Sequence, residues 1–264
     1  MYKFIISGGM RFGMILFVHG MGHSDDRYYW RIWAEPLRAA LAGLGLNLSE
    51  EQFGGVYYYD LVPGPREVGI IAEDLQAKTT ALKEMALHEI GLSRFSFTDG
   101  VKTVKRLADY VVDSFGDIIS YLYLDRTHYA VNNRLYEAID NSSEPVHLIG
   151  YSLGSIVSYC ALKQNEEAAK KVSHLIMLGS PLFWFKHGVS ERTGFGAGPA
   201  VGRFTNIAGM MDIAFPQMVS RIIDCLDEHL EFTANIDPVK GHKEYFSKDE
   251  ALHVIAKEVK KGWI

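Results

Sequence analysis

The sequence has few cysteines, only Cys160 and Cys225, and they lack the paired spacing that would hold a metal ion. Cys160 falls on the apolar face of a predicted helix, where a thiol behaves as a small buried hydrophobic group rather than as a disulfide partner. The shortage of cysteine therefore excludes a disulfide framework and fits a protein that folds in a reducing compartment.

Charged tracts and long apolar runs are also missing. The formal net charge is only −5 and no run of lysine or arginine stands out, which removes the electrostatic basis for binding nucleic acid. No window is long and apolar enough for a membrane span. The apolar segment Met1–Gly9 lacks the length and the small-residue cleavage site of a signal peptide. We therefore expect a cytoplasmic protein with no integral membrane segment and no nucleic-acid partner.

What the sequence does contain is a series of short apolar segments that alternate with helical patterns. The segments predicted as strands are Met14–Val18, Gly54–Asp60, Val146–Ile149, Val172–Leu178, Phe204–Ala208 and Leu230–Ala234. The predicted helices follow Asp25 or Asp26, with a buried stripe of Trp30, Trp33, Leu37 and Leu41, and cover Ala130–Asp140, Ser155–Leu162 and Glu250–Lys260. This alternation predicts an α/β fold with a mostly parallel sheet and helices on both faces.

Two stretches interrupt the alternation. Residues from about 66 to 128 predict helices over Val68–Ile90 and Val101–Leu124, a helical insertion in a single domain that spans 1–264. The aromatic part of this insertion, Gly116–Leu122, is expected to pack on the core, with a portion left to line an acyl pocket. Leu182–Arg203, rich in glycine and aromatic residues, is predicted as a loop.

The most informative stretch is Gly150-Tyr151-Ser152-Leu153-Gly154, which has the pattern Gly-x-Ser-x-Gly. It lies between a predicted buried strand and a predicted helix, and that context is typical of a nucleophile elbow. Glycines on both sides of the serine allow the strand and the helix to approach each other closely. The pattern therefore predicts that Ser152 is a nucleophile, held above the N-terminus of the following helix.

A serine nucleophile needs an imidazole to accept its proton and a carboxylate to orient the imidazole. On a strand–turn–helix elbow, the acid and then the histidine follow the serine along the chain. Asp212, just past the Phe204 strand, is the predicted acid, and His242, in a predicted loop before the last helix, is the predicted base. The alternatives are the acids Asp224 and Asp227 on a predicted helix and Asp237 beside the histidine, and the histidines His147, His174, His229 and His253, of which His229 and His253 are assigned to helices.

Acyl transfer also needs N–H donors for the oxyanion. The predicted donors are the backbone N–H groups of Leu153 and of Met21, which lies in the glycine turn that follows the first strand. His19, Tyr151, Phe183 and Trp184 are predicted to line the substrate pocket. The three adjacent aromatics Phe183, Trp184 and Phe185 form either an inward plug, which we favour, or an exposed lid that faces lipid.

These residues together resemble the α/β-hydrolase superfamily, in particular its lipase- and esterase-like members. The resemblance covers about Met14 to Ile264 and is carried by a few short motifs: His19-Gly20, Gly150 to Gly154, Leu178-Gly179-Ser180-Pro181, Gly209 to Pro216, and Gly241-His242 with Tyr245. It implies a sheet of the eight-stranded type, here with its first hairpin absent or reduced, a Ser–Asp–His triad, and neither a cofactor nor a metal.

The sequence therefore predicts a serine hydrolase that cleaves a small-molecule or lipid-like carboxylic ester through an acyl-enzyme. Two alternatives stay open. The same triad serves an acyltransferase or a thioesterase, and a hydrolase fold with a silent triad serves as a binding scaffold. A zinc hydrolase is disfavoured because the histidines lack the His-Glu-x-x-His spacing of helical metal ligands.

Overall fold

The computed structural model describes residues 13–20, 25–63, 81, 116–142 and 145–263. Its strands are β1 (Met14–Val18), β2 (Phe53–Val56), β3 (Val146–Tyr151), β4 (Val172–Leu178), β5 (Phe204–Met210) and β6 (Glu228–Thr233). Within these ranges the strands form one six-stranded sheet, all parallel, in the order β2-β1-β3-β4-β5-β6. The predicted parallel α/β fold is confirmed.

Helices cover both faces of this sheet. The helices are α1 (Arg31–Gly43), α2 (Gly116–Tyr123), α3 (Asp125–Asp140), α4 (Leu153–Gln164), α5 (Glu166–Lys170), α6 (Leu182–Thr193), α7 (Pro238–His242) and α8 (Asp249–Trp263). Helices α1 and α8 pack on one face, while α2, α3, α4 and α6 pack on the other.

Strand β1 illustrates why its sequence is a continuous apolar run. Successive side chains of a strand point to opposite faces, so Ile15 and Phe17 join the layer under α1 and α8. Leu16 and Val18 join the opposite layer with α2, α3 and α4. Because both faces are covered, every position of the strand favours an apolar residue.

The strand order places a topological switch point at the carboxyl ends of β1 and β3. The chain passes from β1 to β2 on one side and later returns to β3 on the other side of β1. In parallel α/β sheets ligands bind where the connections diverge in this way. The turn after β1 carries His19 and Gly20, and the turn after β3 carries Ser152, so both predicted motifs meet at this point.

The predicted loop Leu182–Arg203 is wrong in its first half, which forms α6. This helix buries Phe183, Trp184 and Phe185, and it stops at Gly194, whose φ of +67° suits glycine. The irregular segment begins only there. The sequence favoured a loop over the whole stretch because the glycines that follow the helix dominate its composition.

Three further predictions are corrected at the strand ends. The predicted strand Gly54–Asp60 is shorter, because Tyr59–Leu61 forms a 3₁₀ turn over the end of β1. Asp224 and Asp227 lie in a turn before β6 rather than on a helix, and the Asp227 carboxylate accepts the Phe204 N–H at 2.7 Å. His229 lies in β6 and not on a helix. The spacing of apolar residues around Val219 and Ile223 resembles that of a helix, which explains the incorrect helix prediction for Asp224 and Asp227.

The predicted insertion falls largely outside the described residues. The predicted helix Val68–Ile90 lies outside them apart from residue 81, and only the end of the predicted helix Val101–Leu124 is described, as α2. The aromatic part of α2 packs on the core as expected, with Ile118, Tyr121 and Leu122 buried. No helix in the described ranges has both the length and the apolar character needed to cross a membrane.

The amino-terminal end of the sheet contains two buried histidines, His147 in β3 and His174 in β4. The His147 ring stacks on Trp263 at 4.4 Å, and the His174 Nε2 lies 2.9 Å from the Thr205 hydroxyl and 3.8 Å from Glu258. Burial lowers the pKa of His147 to about 4 and that of His174 to about 3. Both imidazoles are therefore neutral in the folded protein at neutral pH.

We expect the free energy of unfolding to fall as the pH drops below about 6.5. Below that pH both histidines become protonated in the unfolded chain. In the folded chain His147 stays neutral down to about pH 4, so protonation stabilises the unfolded state relative to the folded state. The contribution of the two neutral histidines to the free energy of unfolding is fully present above their pKa in the unfolded chain. Its loss at low pH is on the order of a few kcal/mol. Urea unfolding at a series of pH values checks this, and His147→Gln should flatten the slope. An unchanged slope in the variant would contradict the assignment.

Candidate active site

Ser152 occupies a strained turn between β3 and α4. Its φ of 53° lies in the left-handed region, which residues other than glycine rarely adopt. A Cβ at Gly150 would lie 2.7 Å from the Gly154 carbonyl oxygen, and one at Gly154 would lie 2.1 Å from the Val18 carbonyl oxygen. The two glycines of the motif are therefore required by backbone contacts, and the predicted elbow geometry is present.

His242 lies between Ser152 and Asp212. Its Nε2 is 3.0 Å from the Ser152 Oγ, and its Nδ1 is 2.9 Å from the Asp212 Oδ1. Asp212 comes from the turn after β5 and His242 from the end of α7, so two separate segments of the chain supply them. The structure brings together all three residues that the chain order predicted, although His242 ends a short helix rather than lying in a loop.

These distances match the arrangement that a proton transfer needs. An ionised carboxylate only accepts hydrogen bonds, so Asp212 favours a hydrogen on the His242 Nδ1 and leaves Nε2 as the acceptor for the Ser152 hydroxyl. Asp212 is 2 % exposed, and its Oδ1 also accepts the Ala214 N–H at 2.7 Å. The rival acid Asp237 caps α7 instead, through bonds from Val239 and Lys240.

Tyr151, the residue before the nucleophile, supports the histidine. Its hydroxyl donates to the His242 carbonyl oxygen, and the two rings stack with centroids 5.3 Å apart. Trp33 and Phe246 pack on other sides of the Tyr151 ring. A role for Tyr151 in lining a substrate pocket stays a prediction.

The turn after β1 is pressed against the nucleophile. A Cβ at Gly20 would lie 2.8 Å from the Ser152 Cβ and 3.4 Å from its Oγ, so only glycine fits there without a shift. Met21, the predicted oxyanion donor of this turn, lies outside the described residues. The other predicted donor, Leu153, begins α4, where the first N–H groups of a helix have no partner within it.

His19 is buried within this turn. The Tyr58 N–H lies 3.4 Å from Nε2 and can only donate, so the ring hydrogen belongs on Nδ1, which lies 2.8 Å from the Gly20 carbonyl oxygen. Burial lowers the pKa of His19 to about 4, which keeps the ring neutral. The Tyr58 hydroxyl donates to the His19 carbonyl oxygen at 2.7 Å, and the Tyr59 hydroxyl to that of Gly20 at 3.1 Å. The described contacts of His19 hold the turn after β1 in place. A role for His19 in lining the substrate pocket stays a prediction.

The aromatic cluster of α6 faces inward. Phe183, Trp184 and Phe185 are 6 %, 2 % and 0 % exposed, which fits the plug and not an exposed lid. The Trp184 Nε1–H donates to the Ile213 carbonyl oxygen at 3.0 Å, next to the predicted acid. Phe215 packs against both Phe183 and Trp184. The cluster thus supports the loop that carries Asp212, and whether it also contacts substrate is untested.

Sequence reasoning missed the parts played by Gly179 and Tyr245, which entered only as motif residues. A Cβ at Gly179 would lie 3.2 Å from both the Asp212 Oδ2 and the His242 Cε1, and its φ of +54° also suits glycine. Tyr245 contacts Asp212 directly, with its hydroxyl 2.7 Å from Oδ2. The signal available in the sequence was the glycine turn that follows β4 and the tyrosine placed shortly after the histidine.

Within the described ranges, no cluster of three or more histidine, cysteine, aspartate or glutamate residues has a geometry that could hold a metal ion.

A family model described as "PGAP1-like alpha/beta domain" matches residues 14–186. The matched range contains the turn after β1 and Ser152, whereas Asp212 and His242 follow it in the chain. No curated protein matches the chain.

Proposed function

Because the chain belongs to the PGAP1-like alpha/beta domain family, a family of the α/β-hydrolase superfamily, we propose that it is a serine hydrolase that cleaves carboxylic esters. The observation that carries this proposal is the position of His242, within hydrogen-bond distance of Ser152 on one side and Asp212 on the other. The proposed substrate is a small-molecule or lipid-like ester.

In the proposed first step, the Ser152 Oγ attacks the ester carbonyl carbon while its proton moves to the His242 Nε2. The carbonyl electron pair moves to oxygen, and the backbone N–H groups of Leu153 and Met21 are the proposed donors to that oxyanion. Asp212 stabilises the imidazolium. Collapse of the tetrahedral intermediate breaks the bond to the alcohol oxygen, which takes the proton from Nε2 and leaves.

The second half of the reaction returns the enzyme to its starting state. His242, neutral again, removes a proton from water as the water oxygen attacks the acyl carbon of the Ser152 ester. The new tetrahedral intermediate collapses, and the Ser152 oxygen leaves with the proton from Nε2. Carboxylic acid and free Ser152 result, so atoms and protons balance without a cofactor.

A fluorophosphonate probe tests the proposal most directly, since an activated serine hydroxyl attacks its phosphorus and displaces fluoride. We expect a single adduct on Ser152 by mass spectrometry, absent in Ser152→Ala and in heat-denatured protein. Ser158→Ala is the matched control, because Ser158 is a buried serine of α4 whose hydroxyl donates to the Gly154 carbonyl oxygen. Folded protein that stays unlabelled, or that labels elsewhere, would overturn the proposal.

A further inference from the structure

Tyr245 lies in the segment between α7 and α8 and is completely buried. Its ring packs edge-to-face on Phe232, with centroids 5.0 Å apart. A Cβ at Gly179 would lie 3.0 Å from its Cε2. These contacts hold the phenol in one place, directly behind the carboxylate of Asp212.

The hydrogen of this phenol has a defined position. The Gly209 N–H donates to the Tyr245 oxygen at 2.8 Å, and a backbone N–H can only donate. The phenol hydrogen is therefore directed to its other close partner, the Asp212 Oδ2 at 2.7 Å. Burial, together with the charge of Asp212, raises the pKa of Tyr245 well above its usual value, so the phenol keeps that hydrogen.

The carboxylate of Asp212 is thus held from two directions. Oδ1 receives the Ala214 N–H and faces the His242 Nδ1, while Oδ2 receives the Tyr245 hydroxyl. A carboxylate bound only through Oδ1 retains rotation about its last side-chain bond. The phenol removes that freedom and also ties the acid to the end of β5 through Gly209.

We propose that Tyr245 is a positioning residue for the hydrolysis, which orients the Asp212 carboxylate so that Oδ1 meets the Nδ1–H of His242. The inference rests on the proposed function, because it assigns Asp212 its part in catalysis. Tyr245 acts through Asp212, and its ring also lies edge-on to the His242 ring, with centroids 6.5 Å apart.

A double-mutant cycle tests whether Tyr245 acts through Asp212. With p-nitrophenyl acetate as substrate, Tyr245→Phe should lower kcat about ten- to hundred-fold with little change in KM, because a hydrogen bond to a charged group is lost. In an Asp212→Asn background the same change should cost less than about twofold. Equal losses in both backgrounds would indicate a structural role and overturn the inference.

Tyr121→Phe provides the matched control. Tyr121 is another buried tyrosine, and its hydroxyl donates to a side-chain oxygen, the Asn132 Oδ1, at 2.7 Å. It should lower thermal stability to a similar degree and leave kcat unchanged. Replacement of Tyr245 by 3-fluorotyrosine keeps the hydroxyl and should restore kcat.

An NMR measurement keeps the inference testable even if the wild-type protein hydrolyses no ester. The His242 Nδ1 proton, hydrogen-bonded to Asp212, should give a low-field resonance that Asp212→Asn abolishes. We expect Tyr245→Phe to broaden or remove this resonance and Tyr121→Phe to retain it. A wild-type protein without activity but with this behaviour would refute the proposed function alone, whereas an unchanged resonance in Tyr245→Phe would refute the role of Tyr245.

Discussion

Replacement of His242 with alanine is expected to lower kcat/KM for p-nitrophenyl acetate by roughly 10³- to 10⁶-fold, and Ser152→Ala should do the same. A serine hydroxyl is a poor nucleophile at neutral pH unless a base takes its proton during attack. The His242 Nε2, which lies 3.0 Å from the Ser152 Oγ, is the group placed to accept that proton. Either change removes one half of the same proton transfer.

The double variant is the sharper measurement, because substitutions of residues that act as one unit do not have additive effects on the activation free energy. If Ser152 and His242 form that unit, Ser152→Ala/His242→Ala should lose about as much activity as either single variant. Independent contributions would multiply instead. Losses that multiply, or a His242→Ala variant that retains most of its turnover, would contradict the assignment of the base.

Loss of the fold would imitate this result, so it has to be measured separately. The His242 side chain is 12 % exposed and belongs to a short helix at the rim of the sheet. Its removal takes away no large apolar group, so thermal unfolding should change little. Lys243→Ala, which alters the next residue in the chain, is the control for disturbance of this segment.

The agreement between sequence and structure is closest where local patterns decide the outcome. Apolar runs such as Ile15–Val18 are strands because both faces of the sheet are covered, and the Gly-x-Ser-x-Gly pattern needs its glycines for contacts within a few residues. The positions of Asp212 and His242 followed from chain order once the elbow was recognised. The fold class and the candidate triad residues could therefore be predicted, while the catalytic roles remain to be tested.

What could not be predicted depends on contacts between residues far apart in the chain. The bond between Tyr245 and Asp212 spans 33 positions, and the bond between Tyr58 and the His19 carbonyl spans 39. No local pattern encodes such pairs. Helix α6 was missed for a related reason: it packs on α4, on α2 and on the turn that follows β5, and these contacts, rather than a periodicity of its own, bury its aromatic residues.

Gly154→Ala is expected to be the most destabilising single substitution proposed, by more than about 4 kcal/mol. The added Cβ would lie 2.1 Å from the Val18 carbonyl oxygen and 2.5 Å from that of His19. Both are backbone atoms at the end of β1, so the clash cannot be relieved by the movement of a flexible side chain. Helix α4 would have to separate from β1, which would open the core beneath both turns of the candidate site.

Gly43→Ala gives the matched control, since Gly43 is also helical but has nothing within 4 Å of an added Cβ. Alanine there should stabilise the protein by up to about 1 kcal/mol, because it restricts the unfolded chain and favours the helix. Urea unfolding followed by tryptophan fluorescence measures both variants. Similar small effects at the two positions would mean that β1 and α4 are not in the close contact described. A loss confined to Gly154→Ala would show that the motif glycine is required for packing, whatever reaction the protein catalyses.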